Sequence, residues 1–391
     1  MSVLLNKRKN ANIIIAGIFA LIIGMGVARF AFTSLLPSML NNRLDISFAG
    51  LLASINYFGY LLGAIFAIFI KSNSLKVKFF RVGLFISFFT TLVLGLQTND
   101  FVWIVSRFIA GFGSAMLMVV GSSLVMSRLD IEDKTKAMGI HFSGIGFSMV
   151  VTDILSRTVL SYSSWDDSWI ALSILTIVLG AYSFYILDEQ ENQSFLKVKG
   201  KPFKMDSFVI VLIFSYFTVG VGFVVQGTFL PDIINSIEGL AGFGSNSWLL
   251  AGFAGIPSCI IWMRLASNYG SVNIILICMC FLIISILIPT LTSNLFLNLL
   301  SAFLYGATFI ALVGLFLNLG GKIASSNPAF LMGALTSSYG IGQITAPLYS
   351  IALINKYNSY ETTLYLTAFI MLLGVVVLYL NKNKEKKYAN N

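Results

Sequence analysis

Long apolar runs repeat along almost the whole of this 391-residue chain, and they set the strongest limit on its fold. Each run is close to the length of about 20 apolar residues that one helix needs to cross a bilayer. Hydrophobic residues make up 57% of the chain and charged residues only 10%, whereas a soluble domain carries about 25% charged residues. The composition excludes a soluble globular protein. We therefore expect an all-α integral membrane protein.

Twelve runs are long enough to be transmembrane helices, and most linkers between them are short. The longest linker, at 188–206, is polar and charged and divides the runs into six and six. The sequence thus predicts an N-terminal six-helix bundle at 1–187, a cytoplasmic linker at 188–206, and a C-terminal six-helix bundle with a short basic tail at 207–391. The predicted spans are 11–36, 47–70, 79–97, 101–127, 137–160, 168–187, 207–234, 245–266, 272–291, 294–319, 328–354 and 361–380.

The distribution of basic residues predicts the orientation of these spans. Of the 25 lysines and arginines, 20 lie on the side of the termini, and two, Arg43 and Lys356, lie on the other side. The remaining three, Arg29, Arg107 and Arg157, fall within predicted spans. Because Lys and Arg concentrate in cytoplasmic loops, we expect both termini in the cytoplasm and the protein in the cytoplasmic (inner) membrane. The same pattern accounts for the net charge of +9 without a nucleic-acid partner.

Short matches at a near-constant offset relate the two halves of the chain. The stretch "TSLLP" at Thr33–Pro37 recurs as "TFLP" at Thr228–Pro231, with the prolines 194 residues apart. The pair "MG" at 138–139 recurs at 332–333 with the same offset. We therefore expect two pseudo-symmetric bundles, an architecture in which repeats face a central site in many secondary transporters.

The two halves are unequal in charge. Alignment of Gly113 with Gly306 places Leu300 opposite Arg107, so the embedded arginine has an apolar counterpart. We infer that the first half handles charge and that the second half supplies apolar and hydrogen-bonding surface.

Three stretches carry a resemblance to a known family. Helix four reads "SRFIAGFGSAM" at 106–116, an arginine followed by glycines and small residues, and resembles the helix-four motif of the major facilitator superfamily. The stretch "GMGVARFAFTSLLP" at 24–37, together with "SYGIGQITAPL" at 338–348, is similar to the YbfB/YjiJ-type branch of that superfamily. The resemblance implies the fold of two six-helix bundles and transport by alternating access. The glycine- and proline-rich helix-five motif of many antiporters is absent, since "GIHFSGIGFSMVV" at 139–151 contains no proline.

The charged residues within the spans are the first candidates for function. Arg29 lies about 18 residues from the cytoplasmic end of its helix, or roughly 27 Å at 1.5 Å per residue. Arg107 and Asp153 are expected in the same outer half of the first bundle. A cation at this depth must find an anion, a carbonyl group or water. One interpretation is that Arg29 and Arg107 bind an anionic substrate. In the alternative, Arg29 pairs with Asp153, Arg107 caps carbonyl groups and Arg157 extends to the outer surface.

Three titratable residues are candidates for proton coupling. Asp153 is the carboxylate placed deepest in a predicted span, Asp232 follows Pro231 at the outer end of helix seven, and His141 is the only histidine. A histidine changes charge near neutral pH. The alternatives are a fixed ion pair at Asp153, interfacial water around Asp232 and a structural role for His141.

Further polar, glycine and proline residues complete the predicted site. The second-half polar residues expected to contact the substrate are Gln226, Asn298, Tyr305 and Gln343. Glycines allow close helix approach and prolines bend helices within membranes. The residues expected to serve helix packing or hinges are Gly24, Gly26, Pro37, Gly111, Gly113 and Pro231.

The sequence therefore predicts a secondary active transporter rather than an enzyme. It contains no phosphate-binding loop of the G-x-x-x-x-G-K-[ST] type, so we expect an ion gradient or the substrate's own gradient to supply the energy. We expect no cofactor and no metal. The expected partners are a small organic solute with anionic character, protons and the lipid bilayer, and the protein is expected to be a monomer. The alternatives are a lipid or amphiphile flippase, an efflux pump on the same fold, and a non-transporting membrane sensor.

Overall fold

The computed structural model describes residues 2–70, 72–129, 134–188, 205–324 and 328–385, and within them every regular element is helical. We number the long helices in chain order, counting consecutive helical segments without a break as one helix. A short 3₁₀ turn, Lys382–Glu385, follows the last of them. The helices are α1 (Ser2–Leu21, Ile22–Phe30 and Ala31–Asn42), α2 (Ile46–Ile68), α3 (Asn73–Leu96), α4 (Asp100–Ala115, Met116–Val120 and Gly121–Arg128), α5 (Lys134–Leu160), α6 (Trp165–Ile186), α7 (Ser207–Ser236), α8 (Gly244–Tyr269), α9 (Ser271–Leu291), α10 (Leu295–Ile323), α11 (Pro328–Tyr357) and α12 (Glu361–Asn381).

Each predicted span lies on one of these helices. The largest differences in length occur at α1, which begins and ends beyond the predicted 11–36, and at the start of α3. Among the described residues, eleven helices are long and apolar enough to cross a membrane. The helix that does not meet this criterion is α11, because the stretch "TSSYGIGQ" at 336–343 lowers its hydropathy. The prediction of an all-helical, multi-pass membrane protein is confirmed.

Polar residues at the loop ends fix where several helices begin. Their side-chain oxygens accept hydrogen bonds from backbone N–H groups of the first turn, which have no partner within the helix. Asn99, for example, accepts from the N–H of Val102 at 3.2 Å. The other residues with this role are Asp45, Ser72, Asp206 and Asn294.

The packing pattern of the first six helices recurs in the second six. Helix α2 packs on α4 as α8 packs on α10, α1 packs on α5 as α7 packs on α11, and α3 packs on α6 as α9 packs on α12. Between the two sets, α2 packs on α11, α5 on α8 and α1 on α7. The repeated pattern agrees with the internal repeat that the sequence predicts.

Individual contacts give the register of this repeat. A Cβ atom on Gly111 would lie 2.0 Å from the carbonyl oxygen of Asn56, and one on Gly306 would lie 1.9 Å from that of Ala251. Both contacts require a glycine, and they are related by an offset of 195 residues. The alignment of Gly113 with Gly306 is therefore wrong by two residues, because Gly111 occupies the equivalent position. The corrected register replaces Leu300 with the buried Ala302 as the counterpart of Arg107.

The close contact at Gly111 leads to a prediction about stability. A methyl group there must displace the α2 backbone, so we expect Gly111→Ala to lower the free energy of unfolding by about 1–3 kcal/mol. The matched control is Gly180→Ala, where the nearest atoms to a new Cβ lie 3.6 and 3.7 Å away. This control should be neutral or stabilise the helix by up to about 1 kcal/mol. Thermal unfolding of the purified protein in detergent measures both, and equal midpoints for the two variants would contradict the contact.

The predicted orientation can be tested by cysteine labelling. With both termini in the cytoplasm, a membrane-impermeant maleimide added outside cells should label Tyr162→Cys and Thr98→Cys, which lie between helices and within the predicted linkers at 161–167 and 98–100. It should not label a cysteine in the linker at 188–206, most of which lies outside the described residues. Labelling of that linker from outside would overturn the predicted topology. A variant in which the exposed Cys280 is replaced by serine provides the background.

Candidate functional site

A change of helical register in α1 holds the central arginine. Residues Ile22–Phe30 form π-helical turns and are all buried. The N–H of Ala31 donates to the carbonyl of Gly26, five residues earlier, where an α-helix would use the fourth. Gly24 and Gly26 allow α1 to pack tightly, since added Cβ atoms would lie 2.8 Å from Leu117 Cβ and 2.9 Å from Ser148 Cβ. Single π-helical turns are frequent at functional sites.

Arg29 is enclosed by aromatic rings rather than by carboxylates. Its side chain is 5% exposed, and its guanidinium carbon lies 4.4 Å from the ring centroid of Tyr60 and 4.7 Å from that of Tyr57. Nη1 lies 3.7 Å from Met25 Sδ. Nε and Nη2 are buried and have no hydrogen-bond partner among the described residues. The alternative in which Arg29 pairs with Asp153 does not occur, because Asp153 is paired elsewhere.

Arg107 stabilises the backbone of the π-helical turns. Its Nη1 donates to the carbonyl oxygen of Ala28 at 3.1 Å, and its guanidinium carbon lies 4.6 Å from the ring centroid of Phe32. Asn56 Nδ2 donates to the same Ala28 oxygen at 3.3 Å and to that of Arg107 at 2.9 Å. Arg107 thus has the contacts expected if it caps carbonyl groups, the alternative to binding a substrate anion. It positions the turn that carries Arg29.

Two polar contacts join α1 and α2 to α7 about one turn beyond Arg29. Thr33 Oγ1 donates to the carbonyl oxygen of Gly227 at 2.5 Å, and the hydroxyls of Tyr57 and Thr228 lie 3.4 Å apart. Thr33 and Gly227 are separated by 194 residues, the offset seen in the sequence, so equivalent points of the two halves touch here. In the predicted orientation, this contact lies on the outer side of Arg29.

An aromatic cluster follows directly after Arg29, and we define it as Phe30, Phe223, Tyr305, Phe309 and Tyr339. Phe223 lies at its centre, with ring centroids 6.4 Å from Phe30, 6.3 Å from Tyr305, 5.1 Å from Phe309 and 5.9 Å from Tyr339. Four helices, α1, α7, α10 and α11, supply these rings. The cluster therefore joins the two halves of the chain beside the embedded cation.

Two of the four polar residues predicted in the second half, Tyr305 and Gln343, lie at or next to the aromatic cluster. Tyr305 donates to the carbonyl oxygen of Phe223 at 3.2 Å and belongs to the aromatic cluster. Gln343 is buried one turn after Tyr339, and its Oε1 has no hydrogen-bond partner among the described residues.

Gln226 and Asn298 have their amide groups engaged within the second half. Gln226 Nε2 donates to the carbonyl of Ser285 at 3.2 Å, and its Oε1 accepts from the hydroxyl of the same residue at 2.8 Å. Asn298 Nδ2 donates to the carbonyl oxygens of Thr292 and Asn294 at the start of α10. These bonds stabilise the bundle and its loop, so the geometry does not bring either residue to Arg29.

Asp153 lies in a chain of hydrogen bonds and one ion pair that joins the halves. Its Oδ2 is 2.7 Å from Arg157 Nε on the next turn of α5, and its Oδ1 accepts a hydrogen bond from Ser34 on α1. Arg157 Nη1 in turn donates to Asn246 Oδ1 on α8 at 2.8 Å. We call Ser34, Asp153, Arg157 and Asn246 the outer chain. Arg157 is therefore a bridging residue rather than one that only reaches the surface.

The other two candidates for proton coupling lie apart from the outer chain. His141 is fully buried, and its Nε2 lies 2.8 Å from Ser122 Oγ on α4. It precedes Asp153 by more than three turns of α5. Asp232, near the end of α7, accepts a hydrogen bond from Tyr360 at the start of α12.

The remaining predicted hinge residues take part in packing. A Cβ atom on Gly113 would lie 2.6 Å from Ile86 Cγ2, which explains a glycine at this contact of α4 with α3. Pro37 and Pro231 lie inside α1 and α7, which continue past them. The carbonyl oxygen of Pro231 is 2.0 Å from where a Cβ of Gly244 would lie, so the second proline packs directly on α8.

Sequence reasoning missed Tyr57, Tyr60 and Asn246. The two tyrosines are three residues apart on α2, a spacing that places them on one helix face. This spacing was the available signal. Asn246 had no local signal, because its role depends on a contact between distant helices.

Comparison with known proteins identifies the family. The family model described as the uncharacterised MFS-type transporter YbfB matches residues 21–379. A segment of 149 residues is 28% identical to the multidrug efflux pump SdrM of Staphylococcus aureus (strain N315), and the match covers 36% of this chain and 33% of that protein. The family match extends over nearly the whole chain, from the middle of α1 to the end of α12. The protein therefore belongs to the YbfB-type family of major facilitator superfamily transporters.

Proposed function

We propose that this protein is a secondary active transporter that moves a small organic anion across the cytoplasmic membrane by alternating access. The two six-helix bundles, 1–187 and 207–391, rock about a central site, with both termini in the cytoplasm. The protein acts as a monomer and needs no cofactor or metal. The observation that carries the proposal is the buried guanidinium of Arg29, with two N–H groups that have no partner among the described residues.

The charge of Arg29 favours an anionic substrate. An arginine side chain cannot lose its proton in a protein, and a charge at membrane depth costs at least about 2.5 kcal/mol. The rings of Tyr57 and Tyr60 offset part of this cost through cation–π contacts. Two buried donors still lack an acceptor, and a substrate anion supplies one. When the anion binds, the buried charge of Arg29 becomes paired and its free N–H groups form charge-assisted hydrogen bonds.

The contacts around Arg29 support access from the cytoplasm in this state. The bonds of Thr33 to Gly227 and of Tyr57 to Thr228 close the outer side. To open the site outward, movement of the halves would have to break these bonds and the bonds of Arg157 to Asn246 and of Asn355 to Ser47. A net hydrogen bond contributes only about 0.5–1.5 kcal/mol, so a substrate that binds one state better can shift this equilibrium.

The outer chain is our candidate for proton coupling. Asp153 belongs to the first half and pairs with Arg157, which donates a hydrogen bond to Asn246 in the second half. A proton on Asp153 removes the attraction that orients Arg157, which weakens the bridge between the halves. Outward opening then becomes linked to protonation. Asp232 and His141 lack such a bridge between the halves in the described contacts.

Efflux of apolar or amphiphilic compounds is the second candidate. The relative whose name describes a multidrug efflux pump matches part of the chain. The aromatic cluster offers an apolar surface on which compounds of different structure can pack. The embedded cation Arg29 disfavours cationic drugs. A pump of this kind would carry neutral or anionic amphiphiles.

Transport assays in proteoliposomes test the proposal. Purified protein is reconstituted, loaded with one organic anion and assayed for uptake of its radiolabelled form with and without a pH gradient. We expect saturable exchange of at least one small organic anion. Exchange of neutral compounds or lipids, with no competition by any organic anion, would overturn the anionic assignment. The absence of any transport with folded protein would favour the sensor alternative.

A further inference from the structure

The free edge of Arg29 has a definite shape. The rings of Tyr60 and Tyr57 lie within cation–π distance of the guanidinium, at 4.4 and 4.7 Å, and Nη1 contacts Met25 Sδ. The groups without a partner among the described residues, Nε and Nη2, form one edge of the planar guanidinium. Two parallel N–H groups on one edge match the two oxygens of a carboxylate. The site therefore provides for one bidentate monoanion.

The aromatic cluster lies close to Arg29. Phe30 is the next residue in the chain, and the hydroxyls of Tyr305 and Tyr339 lie within range of the charge of Arg29. The ring centroid of Phe223 lies within 6 Å of that of Phe309 and of that of Tyr339. Aromatic rings attract other rings in offset or edge-to-face arrangements beyond their hydrophobic contact.

Two further buried polar atoms at this centre have no partner in the described part of the chain. They are Trp248 Nε1, whose ring centroid is 5.7 Å from that of Phe30, and Gln343 Oε1, one turn beyond Tyr339. Buried polar atoms are normally hydrogen-bonded. Both residues adjoin the aromatic cluster, Trp248 at Phe30 and Gln343 at Tyr339, so a ligand packed against the cluster would be placed to supply their missing partners.

From this arrangement we infer that the transporter selects aromatic monocarboxylates, in which a flat ring lies a short distance from the carboxylate. The carboxylate binds Nε and Nη2 of Arg29, and the ring packs in the aromatic cluster around Phe223. This inference rests on the proposed transport of organic anions and narrows it to one substrate class. Arg107 does not add a second bidentate site, because its Nη1 donates to the carbonyl of Ala28 and only its Nε is buried without a hydrogen-bond partner in the described part of the chain.

Three probes of nearly equal size separate the contributions of charge and ring. Phenylacetate has both, cyclohexylacetate has the charge without the aromatic ring, and phenylacetamide has the ring without the charge. Their affinities for the purified full-length protein are measured by calorimetry or by thermal shift. We expect cyclohexylacetate to bind about two- to tenfold more weakly than phenylacetate. Phenylacetamide should bind at least about tenfold more weakly.

Substitution of the central ring gives an independent test. In Phe223→Leu, the preference for phenylacetate over cyclohexylacetate should fall to about one. The matched control is Phe80→Leu, which truncates an equally buried phenylalanine outside the cluster and should keep the preference. Because the preference compares two ligands on the same variant, a change in the amount of folded protein does not alter it.

The outcomes distinguish this inference from the proposed function. Equal affinity for phenylacetate and cyclohexylacetate, or no binding of phenylacetate while hexanoate is exchanged, overturns the aromatic selectivity but leaves anion transport standing. If neither aromatic nor aliphatic carboxylates bind or are exchanged, both proposals fail. If phenylacetamide binds as tightly as phenylacetate, the role of Arg29 in both proposals is wrong.

Discussion

Arg29→Lys should reduce the affinity for the transported anion by at least about tenfold while the protein stays folded. Lysine keeps the positive charge but lacks the planar edge of Nε and Nη2 and the planar guanidinium that contacts the rings of Tyr57 and Tyr60. Loss of a charge-assisted hydrogen bond corresponds to about 1.5–3 kcal/mol. Binding and initial rates of exchange in proteoliposomes measure the effect.

Two other arginines serve as controls for this result. Arg43→Lys changes a partly exposed arginine that pairs with Asp100, and it should leave transport unchanged. Arg107→Lys should lower the midpoint of thermal unfolding, because Arg107 holds the carbonyl of Ala28. Normal transport by Arg29→Lys would refute the binding role. So would a loss of transport that only follows the loss of folded protein.

Asp153→Asn should abolish transport driven by a proton gradient while exchange of labelled for unlabelled substrate survives. The amide has nearly the shape of the carboxylate and can still accept a hydrogen bond from Ser34, but it carries no charge to orient Arg157. The bridge to Asn246 then no longer depends on protonation. Uptake with an imposed pH gradient and exchange without one separate the two activities.

The other titratable candidates provide the comparison for Asp153→Asn. His141→Gln and Asp232→Asn should both keep the proton-driven component. If both activities survive in Asp153→Asn, Asp153 is not the coupling residue, and His141 and Asp232 become the candidates. If both activities disappear and the fold is intact, Asp153 acts in substrate binding or in the rocking movement itself.

Most of the helical framework could be predicted from the sequence, because each crossing needs about 20 apolar residues and these runs are separated by polar linkers. The exception shows the limit of this rule. The sequence predicts helix α11 at 328–354, but the polar residues at its centre make it less apolar than a typical membrane-spanning helix. It packs against α2 and α7, so its polar face is covered by protein rather than by lipid.

The partners of the embedded charges were less predictable. Depth along a helix placed Arg29, Arg107 and Asp153 in the same half of the bundle, but depth does not give the direction in which a side chain points. The alternative interpretation pairs Asp153 with Arg29, whereas in the structure Asp153 pairs with Arg157, four residues later on the same helix. Gln226 was expected in the substrate site, whereas its bonds to Ser285 need knowledge of how α7 packs on α9.

The direction in which the Arg29 side chain points depends on the number of residues in the π-helical turns of α1. In an α-helix, each residue turns the chain by about 100°, so one residue more or fewer in Ile22–Phe30 would rotate one end of α1 relative to the other by that amount. Arg29 could then face lipid in a chain that still contains it. A single-residue insertion or deletion in this segment can therefore remove the site without changing any residue that forms it. When related chains are compared, the spacing between Gly24 and Pro37 carries as much information about function as the arginine itself.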